Sequence, residues 1–298
     1  MQIDVRDIPN LAWQDILNLN FIQDPGQYYY RRHYRQGLRS HVMEVLKPQD
    51  VKKEKEGVVT DGIRWYPRAK PIKMLRIFRT RFNALADATE ETRRVMLVEK
   101  YLGPDYYASS FEFLVDYRIA DRYEILLCGL QDYVEGLGVE PWGAINAERL
   151  AENLIRPGVG QGQPASLDYE RLTETIQSHA ALFIKCIKRM IAETGHIPDL
   201  AGEGNMILTA DGRIRLVDIN NVSQIQTDGT IYVDEKGYPV CDKSIEALYL
   251  MEKGFTRSRV IDRESLYQPL WDTRRMKQVN YMEKLFHEAH SGLHARWD

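Results

Sequence analysis

Apolar residues recur with a helical period in two long segments of the chain. In Tyr169–Thr194 they follow each other at intervals of three and four, and Gly195 then supplies a helix stop signal. Residues 86–101 repeat this pattern among charged residues, and Gly103 with Pro104 ends it. The pattern therefore predicts two amphipathic helices that each bury one face.

Shorter apolar runs between turn residues predict strands. These runs are residues 74–78, 111–117, 123–130, 206–208 and 214–217. We expect the second and third runs to pair as a hairpin across Ala120 and Asp121. The last two runs are expected to form a second hairpin around the turn at residues 210–212.

The distribution of these elements predicts a chain with two lobes. Turn signals and charge runs interrupt every periodic stretch of the first 70 residues, so we expect an irregular extension or lid there. After residues 133–136 the composition shifts, with Gly158, Gly160 and Gly162 forming a glycine-rich loop. We predict an α/β (α+β) fold with a small, sheet-containing N-terminal lobe, residues 1–131, and a mainly helical C-terminal lobe, residues 132–298.

Charge and hydropathy favour a soluble cytoplasmic protein. The 40 basic and 43 acidic residues leave a net charge of -3, which gives no reason to expect a nucleic-acid partner. Residues 28–35 interleave aromatic and basic side chains as single-strand nucleic-acid binders do, but we expect a partly buried strand or helix. No apolar run approaches the about eighteen residues that cross a bilayer, so no membrane association is expected.

One segment carries residue types that phosphoryl transfer requires. His196 and Asp199 follow the predicted long helix, Asn205 precedes the second hairpin, and Asp218 closes that hairpin. Phosphoryl transfer needs a carboxylate at the acceptor hydroxyl, and it needs oxygen ligands for magnesium ions on the nucleotide phosphates. Independent turn residues would not keep this order and spacing.

This segment resembles the catalytic and metal-binding core of protein-kinase-like phosphotransferases, in particular their atypical bacterial members. The resemblance implies a bi-lobal fold that binds ATP and Mg2+ between its lobes. It also implies that Asp199 is the catalytic carboxylate and that Asn205 and Asp218 are metal ligands. The acceptor, a small molecule or a protein, is not specified by any residue pattern.

Weaker similarities assign further nucleotide contacts. Arg76 occupies the place of the phosphate-binding lysine, and Lys73 is the alternative cation. Glu91, or its neighbour Glu90, is implied to pair with that cation. Asp132 and Val134 match the hinge whose backbone groups bond the adenine edge.

The resemblance also implies a supporting role for Asp242. This residue begins a predicted helix, residues 242–253, which Gly254 is expected to close. Its carboxylate is expected to brace the backbone of the loop that carries Asp199 by accepting hydrogen bonds.

The sequence departs from the family pattern in ways that keep a second function open. The segment from Asp199 to Asn205 has one residue more than the template, and Asn220 replaces the glycine of the metal-binding motif. No glycine-rich motif precedes the strand of Arg76. These departures favour an atypical kinase, in which nucleotidyl transfer is also open, or a pseudokinase that acts as a nucleotide sensor or protein scaffold.

Overall fold

A computed structural model describes residues 3–37, 39–143, 145–156, 168–226, 229–234, 236–256 and 264–294. The fold is α+β. The predicted loop with Gly158, Gly160 and Gly162 lies outside the described residues. Within the described part of the chain, no helix is both long and apolar enough to cross a membrane.

Strands and helices are interspersed along the described part of the chain. The α-helices are α1 (Trp13–Leu17), α2 (Pro48–Glu56), α3 (Leu85–Tyr106), α4 (Ala147–Ile155), α5 (Tyr169–Thr194), α6 (Val240–Thr256) and α7 (Thr273–His294), with a 3-10 helix at Ser265–Trp271. The strands are β1 (Tyr29–Arg32), β2 (Ser40–Leu46), β3 (Val58–Thr60), β4 (Ile63–Trp65), β5 (Lys73–Phe78), β6 (Ser110–Ile119), β7 (Arg122–Asp132), β8 (Leu137–Gly138), β9 (His196–Pro198), β10 (Met206–Leu208), β11 (Ile214–Leu216) and β12 (Val222–Gln224).

The largest sheet is antiparallel and has the strand order β1-β2-β5-β7-β6. Three of its strands, β5, β6 and β7, confirm the predicted runs, and the β6–β7 hairpin turns at Ala120 and Asp121 as expected. The sequence pattern missed β2. Residues 28–35 were expected to form a partly buried strand or helix, and they contain the strand β1, which buries Tyr30 and whose Arg31 binds Glu44 and Glu54.

The chain divides into two compact units. One unit comprises Met1–Arg93 with Ala108–Tyr133, and the other comprises Arg94–Tyr107 with Val134–Asp298. The first therefore holds the five-stranded sheet, and the second holds α4 to α7.

In the first unit the N-terminal segment covers one face of the sheet. Val5, Leu11 and Ile16 are buried in the same cluster as Leu75 and Leu126. Since side chains alternate between the two faces of a strand, the neighbouring positions of β2, β5 and β6 point to the opposite face. There the sheet buries polar residues, namely Glu44, Arg76 and Glu112.

In the second unit, α5 is the central element of the core. Its bounds agree with the predicted helix, and Gly195 ends it in the left-handed conformation with φ 68°. Phe183 and Ile187 are fully buried in the cluster that also contains Ile214 of β11 and Leu248 of α6. The apolar face that the sequence predicted is therefore the face that packs.

Two predicted helix ends need correction. Gly103 does interrupt α3 with non-helical angles, but a further helical turn follows it as far as Tyr106. The helix α6 does not stop at Gly254 and continues to Thr256. A Cβ atom at Gly254 would clash with the carbonyl oxygen of Ile145, so this glycine permits a close approach of backbone rather than ending a helix.

Candidate functional site

Two short strands bring the predicted catalytic loop and the segment after β11 together. Strand β9 pairs with β12, so that Pro198 lies opposite Val222. At the end of this ladder the amide of Asp199 donates to the carbonyl oxygen of Asn221 over 2.8 Å. The backbone ladder thus fixes Asp199 beside residues 218–221.

The carboxylate of Asp199 is buried and accepts three hydrogen bonds. Its Oδ1 accepts from the amides of Ala201 and Gly202 at 2.9 and 3.1 Å, and its Oδ2 accepts from Nδ2 of Asn221 at 3.1 Å. Burial, followed by the negative charge of Asp218, raises the pKa of Asp199 to about 6 despite these bonds. Asp199 is therefore held in one orientation and poised to titrate near neutral pH.

The amide of Asn205 is tied to the same loop. Its Nδ2 donates to the carbonyl oxygen of Asp199 over 3.1 Å. A Cβ atom at Gly202 would clash with the Asn205 side chain, so glycine is required where the loop carries its extra residue. Gly204 adopts φ 75°, and its amide donates to Oε1 of Glu140 over 3.1 Å.

Asp218 is connected to this loop through the backbone of β11. The amide of Val217 donates to the carbonyl oxygen of Asn205 over 2.8 Å, which places the start of β10 beside the end of β11. Asp218 itself is half-buried, and its charge acts on Asp199. The three residues predicted from the sequence, Asp199, Asn205 and Asp218, are therefore brought together.

The donor set at these positions fits a hard divalent cation. The carboxylate of Asp218 lies close enough to raise the pKa of Asp199, and a cation bound at Asp218 would offset this repulsion. The amide of Asn205 adds an oxygen, the donor type that magnesium prefers. Among the described residues no group of three or more His, Cys, Asp or Glu side chains forms a metal-binding cluster, so any such site depends on the amide oxygen.

The two candidate phosphate cations lie on opposite faces of β5. Arg76 is buried and forms an ion pair with Glu112 of β6, with 3.2 Å between Nη2 and Oε1. Lys73, at an odd number of residues from Arg76, forms an ion pair with Asp132 at the end of β7. Both cations therefore have carboxylate partners within the first unit.

The other proposed nucleotide contacts are placed as follows. Glu91 of α3 is buried and forms an ion pair with Arg39, with 3.0 Å between Nη2 and Oε1. The amide of Asp132 donates to the carbonyl oxygen of Ser109 over 2.8 Å, so this hinge donor is already used. Val134 is half-buried and is the first residue of the chain after the first unit ends.

The expected role of Asp242 is wrong. Its buried carboxylate accepts from Nε and Nη2 of Arg275 at 2.6 and 3.1 Å, and it makes no contact with the backbone of the catalytic loop among the described residues. The hydroxyl of Ser244 takes that role and accepts from the amide of Leu200 over 3.2 Å. The helix begins at Val240, two residues before the predicted start, and the bracing residue is Ser244, about half a turn after Asp242 along α6.

The chain matches no protein-family model and no curated protein. The arrangement at Asp199 therefore has to be interpreted from its own geometry. That geometry includes Asn221 and Ser244, which the sequence reasoning missed, and within the first unit the sequence reasoning also missed Glu112 as the partner of Arg76. Asn221 follows the Asp218 motif directly, and Ser244 lies two residues after Asp242, so proximity to each motif was the available signal.

Proposed function

We propose that this protein is an atypical, kinase-like phosphotransferase that uses ATP and magnesium. The sheet-containing unit and the mainly helical unit would correspond to the small and large lobes of that family. The observation that carries the proposal is the joining of Asp199, Asn205 and Asp218 through the hydrogen bonds of one loop and one hairpin.

Asp199 is the catalytic residue of the proposal. A general base works best when its pKa lies near the operating pH, and the pKa of Asp199 is raised to about 6. Three donors fix its orientation, which favours the removal or orientation of an acceptor hydroxyl proton at one defined place. The acceptor is a small molecule or a protein that presents such a hydroxyl.

Asn205 and Asp218 are the proposed magnesium ligands. Asn205 uses Nδ2 for the loop, which leaves its Oδ1 as the oxygen turned to other partners. When bound, magnesium would neutralise charge on the nucleotide phosphates. The chain itself contributes the fixed positions of both ligands, because the Val217 amide and the Asn205 carbonyl join their backbones.

The first unit supports the proposal through its element order. Arg76 lies on β5, which is followed along the chain by helix α3 with Glu91. Kinases carry their phosphate-binding lysine on a strand that precedes the helix with its glutamate partner. Arg76 and Lys73 are both proposed as the phosphate cation, and Glu112 restrains the guanidinium of Arg76.

A thermal unfolding experiment with ATP, with and without magnesium, tests the proposal. A ligand that binds only the native state raises its stability, by about 2.7 kcal/mol at a hundredfold excess over Kd. We expect ATP with magnesium to raise the unfolding temperature more than ATP with a chelator. An unfolding temperature that stays the same under all conditions would contradict the proposal.

A second function is favoured by the ion pairs of the two cations. If Arg76 stays with Glu112 and Lys73 stays with Asp132, the protein would bind nucleotide as a sensor or scaffold without transferring phosphate. Product analysis separates these functions. A catalyst consumes bound ATP and releases ADP, or releases pyrophosphate in a nucleotidyl transfer, whereas a pseudokinase returns ATP unchanged.

A further inference from the structure

Close in sequence to the proposed metal ligand Asp218, a buried side-chain amide has no hydrogen-bond partner among the residues that the structure describes. Asn220 lies two residues after Asp218 and is only 4% exposed. Among the described residues, neither its Oδ1 nor its Nδ2 has a partner. The neighbouring amides differ, since Asn205 donates to the carbonyl of Asp199 and Asn221 donates to its carboxylate.

This amide is costly to leave unsatisfied. A side-chain amide offers two donors and one acceptor oxygen, and buried groups of this kind are nearly always bonded. Ile219 is fully buried in the core, and Asn221 is tied to Asp199, so the backbone on both sides of Asn220 is held in place. The unfavourable burial of this amide is therefore held at a defined position by the surrounding structure, which is typical of functional sites.

The neighbours of Asn220 indicate what satisfies it. Asp218, on the same short segment, is a proposed magnesium ligand, and Asn221 orients the proposed catalytic carboxylate. The amide oxygen of asparagine is a magnesium ligand, and its NH2 group is a donor for phosphate oxygens. Magnesium and phosphate oxygens occur together in one group, the magnesium complex of a nucleoside triphosphate.

We propose that Asn220 is an additional ligand of the magnesium–triphosphate group, and that its amide turns onto this group when it binds. The proposal rests on the proposed function and adds a residue to it. It also explains why an asparagine is compatible with a position where the kinase motif has glycine. If Asn220 forms its hydrogen bonds only when the ligand is bound, the whole free energy of those bonds contributes to ligand affinity.

The substitution Asn220→Leu tests this role, because leucine keeps the branched shape of the side chain and removes both polar atoms. Without ligand no hydrogen bond is lost, so we expect an unfolding temperature equal to or above that of the unmodified protein. The affinity for ATP with magnesium, measured by calorimetry, should fall about tenfold or more. Asn221→Leu is the matched control, and its unfolding temperature should fall without ligand because Asp199 loses a donor.

Two further probes identify the contact. Manganese alone, followed by electron paramagnetic resonance, reports a metal ligand, and ATP with a chelator reports a phosphate contact. Weaker binding of either probe, or of both together, supports the role of Asn220. If Asn220→Leu lowers the unfolding temperature, Asn220→Ala, which introduces no added bulk, carries the same measurements.

Failure of this role differs from failure of the proposed function. If the unmodified protein binds ATP with magnesium and both Asn220 variants bind it equally well, the role of Asn220 is overturned and the proposed function stands. If the unmodified protein binds neither ATP nor manganese, both are overturned.

Discussion

At the scale of single residues, this protein buries ionisable side chains in fixed hydrogen-bond networks, and His41 is the simplest case. His41 is fully buried in the first unit, where its Nε2 donates to the carbonyl oxygen of Val5 and its Nδ1 lies 3.3 Å from Nη2 of Arg79. Burial, followed by the charge of Arg79, lowers the pKa of His41 to about 4. The neutral ring is therefore the form that the fold accepts.

His41 makes the stability of the protein depend on pH. Its pKa is lower in the folded chain than in the unfolded chain, so its contribution is full above the unfolded value of about 6.5 and is lost as pH falls towards about 4. Between about pH 7.5 and about pH 5, His41 should remove about 2 kcal/mol from the free energy of unfolding. Urea unfolding of the protein and of His41→Gln at both pH values measures this difference. Equal pH dependence in both proteins would show that His41 is not responsible.

The corrected role of Asp242 gives a second prediction. Its buried carboxylate neutralises Arg275 of α7, whose side chain is itself largely buried. Asp242→Ala leaves that guanidinium without its partner, and we expect a loss of about 3 kcal/mol in the free energy of unfolding. In a double-mutant cycle, the loss should be much smaller when Arg275→Met is already present. Additive losses would contradict the pairing.

The residues of the site differ in how far the sequence predicted them. Asp199, Asn205 and Asp218 were identified because their residue types and order resemble the kinase motif. The partner of Arg76 was not, because Glu112 is set by the register between strands rather than by spacing along the chain. Asn220 had no signal beyond its place in the motif, since burial without a partner appears only in the folded structure.

At the scale of elements, features set by local sequence were predicted well, and features set by contacts between distant parts of the chain were not. The bounds of α5 were predicted because its period and its stop glycine are both local. Strand β2 was missed because one of its pairing partners, β5, lies far along the chain, beyond a region of charge runs. The predicted end of α6 was wrong because Gly254 makes room for the carbonyl oxygen of Ile145 and does not terminate the helix.

Gly254 therefore gives a prediction that opposes helix propensity. Alanine in an exposed helix interior stabilises by about 1 kcal/mol relative to glycine. Here Gly254→Ala should instead destabilise the protein, because its Cβ would clash with the carbonyl oxygen of Ile145. Lys253→Ala, on the exposed side of the same turn, is the control and should change the unfolding temperature little. A higher unfolding temperature for Gly254→Ala would contradict the close approach.

At the scale of the whole molecule, the observed fold and the proposed function have different support. The α+β class and the order of strands and helices are properties of the chain. The kinase-like activity is a proposal that depends on one loop and one hairpin of the second unit. Its central claim is that Asp218 holds magnesium on the nucleotide while Asp199 serves the acceptor.

Calorimetry of ATP binding with magnesium, on the protein and on Asp218→Asn and Asp199→Asn, tests that claim most directly. Asp218→Asn keeps the size of the side chain but removes the charge that a hard cation requires, so metal-dependent affinity should fall. Asp199→Asn should keep that affinity, because the role of Asp199 lies with the acceptor. After its amide rotates, Asn221 can accept a hydrogen bond from the NH2 group that replaces Oδ2. Affinity equal to that of the unmodified protein in both variants, or no binding by the unmodified protein, would contradict the account.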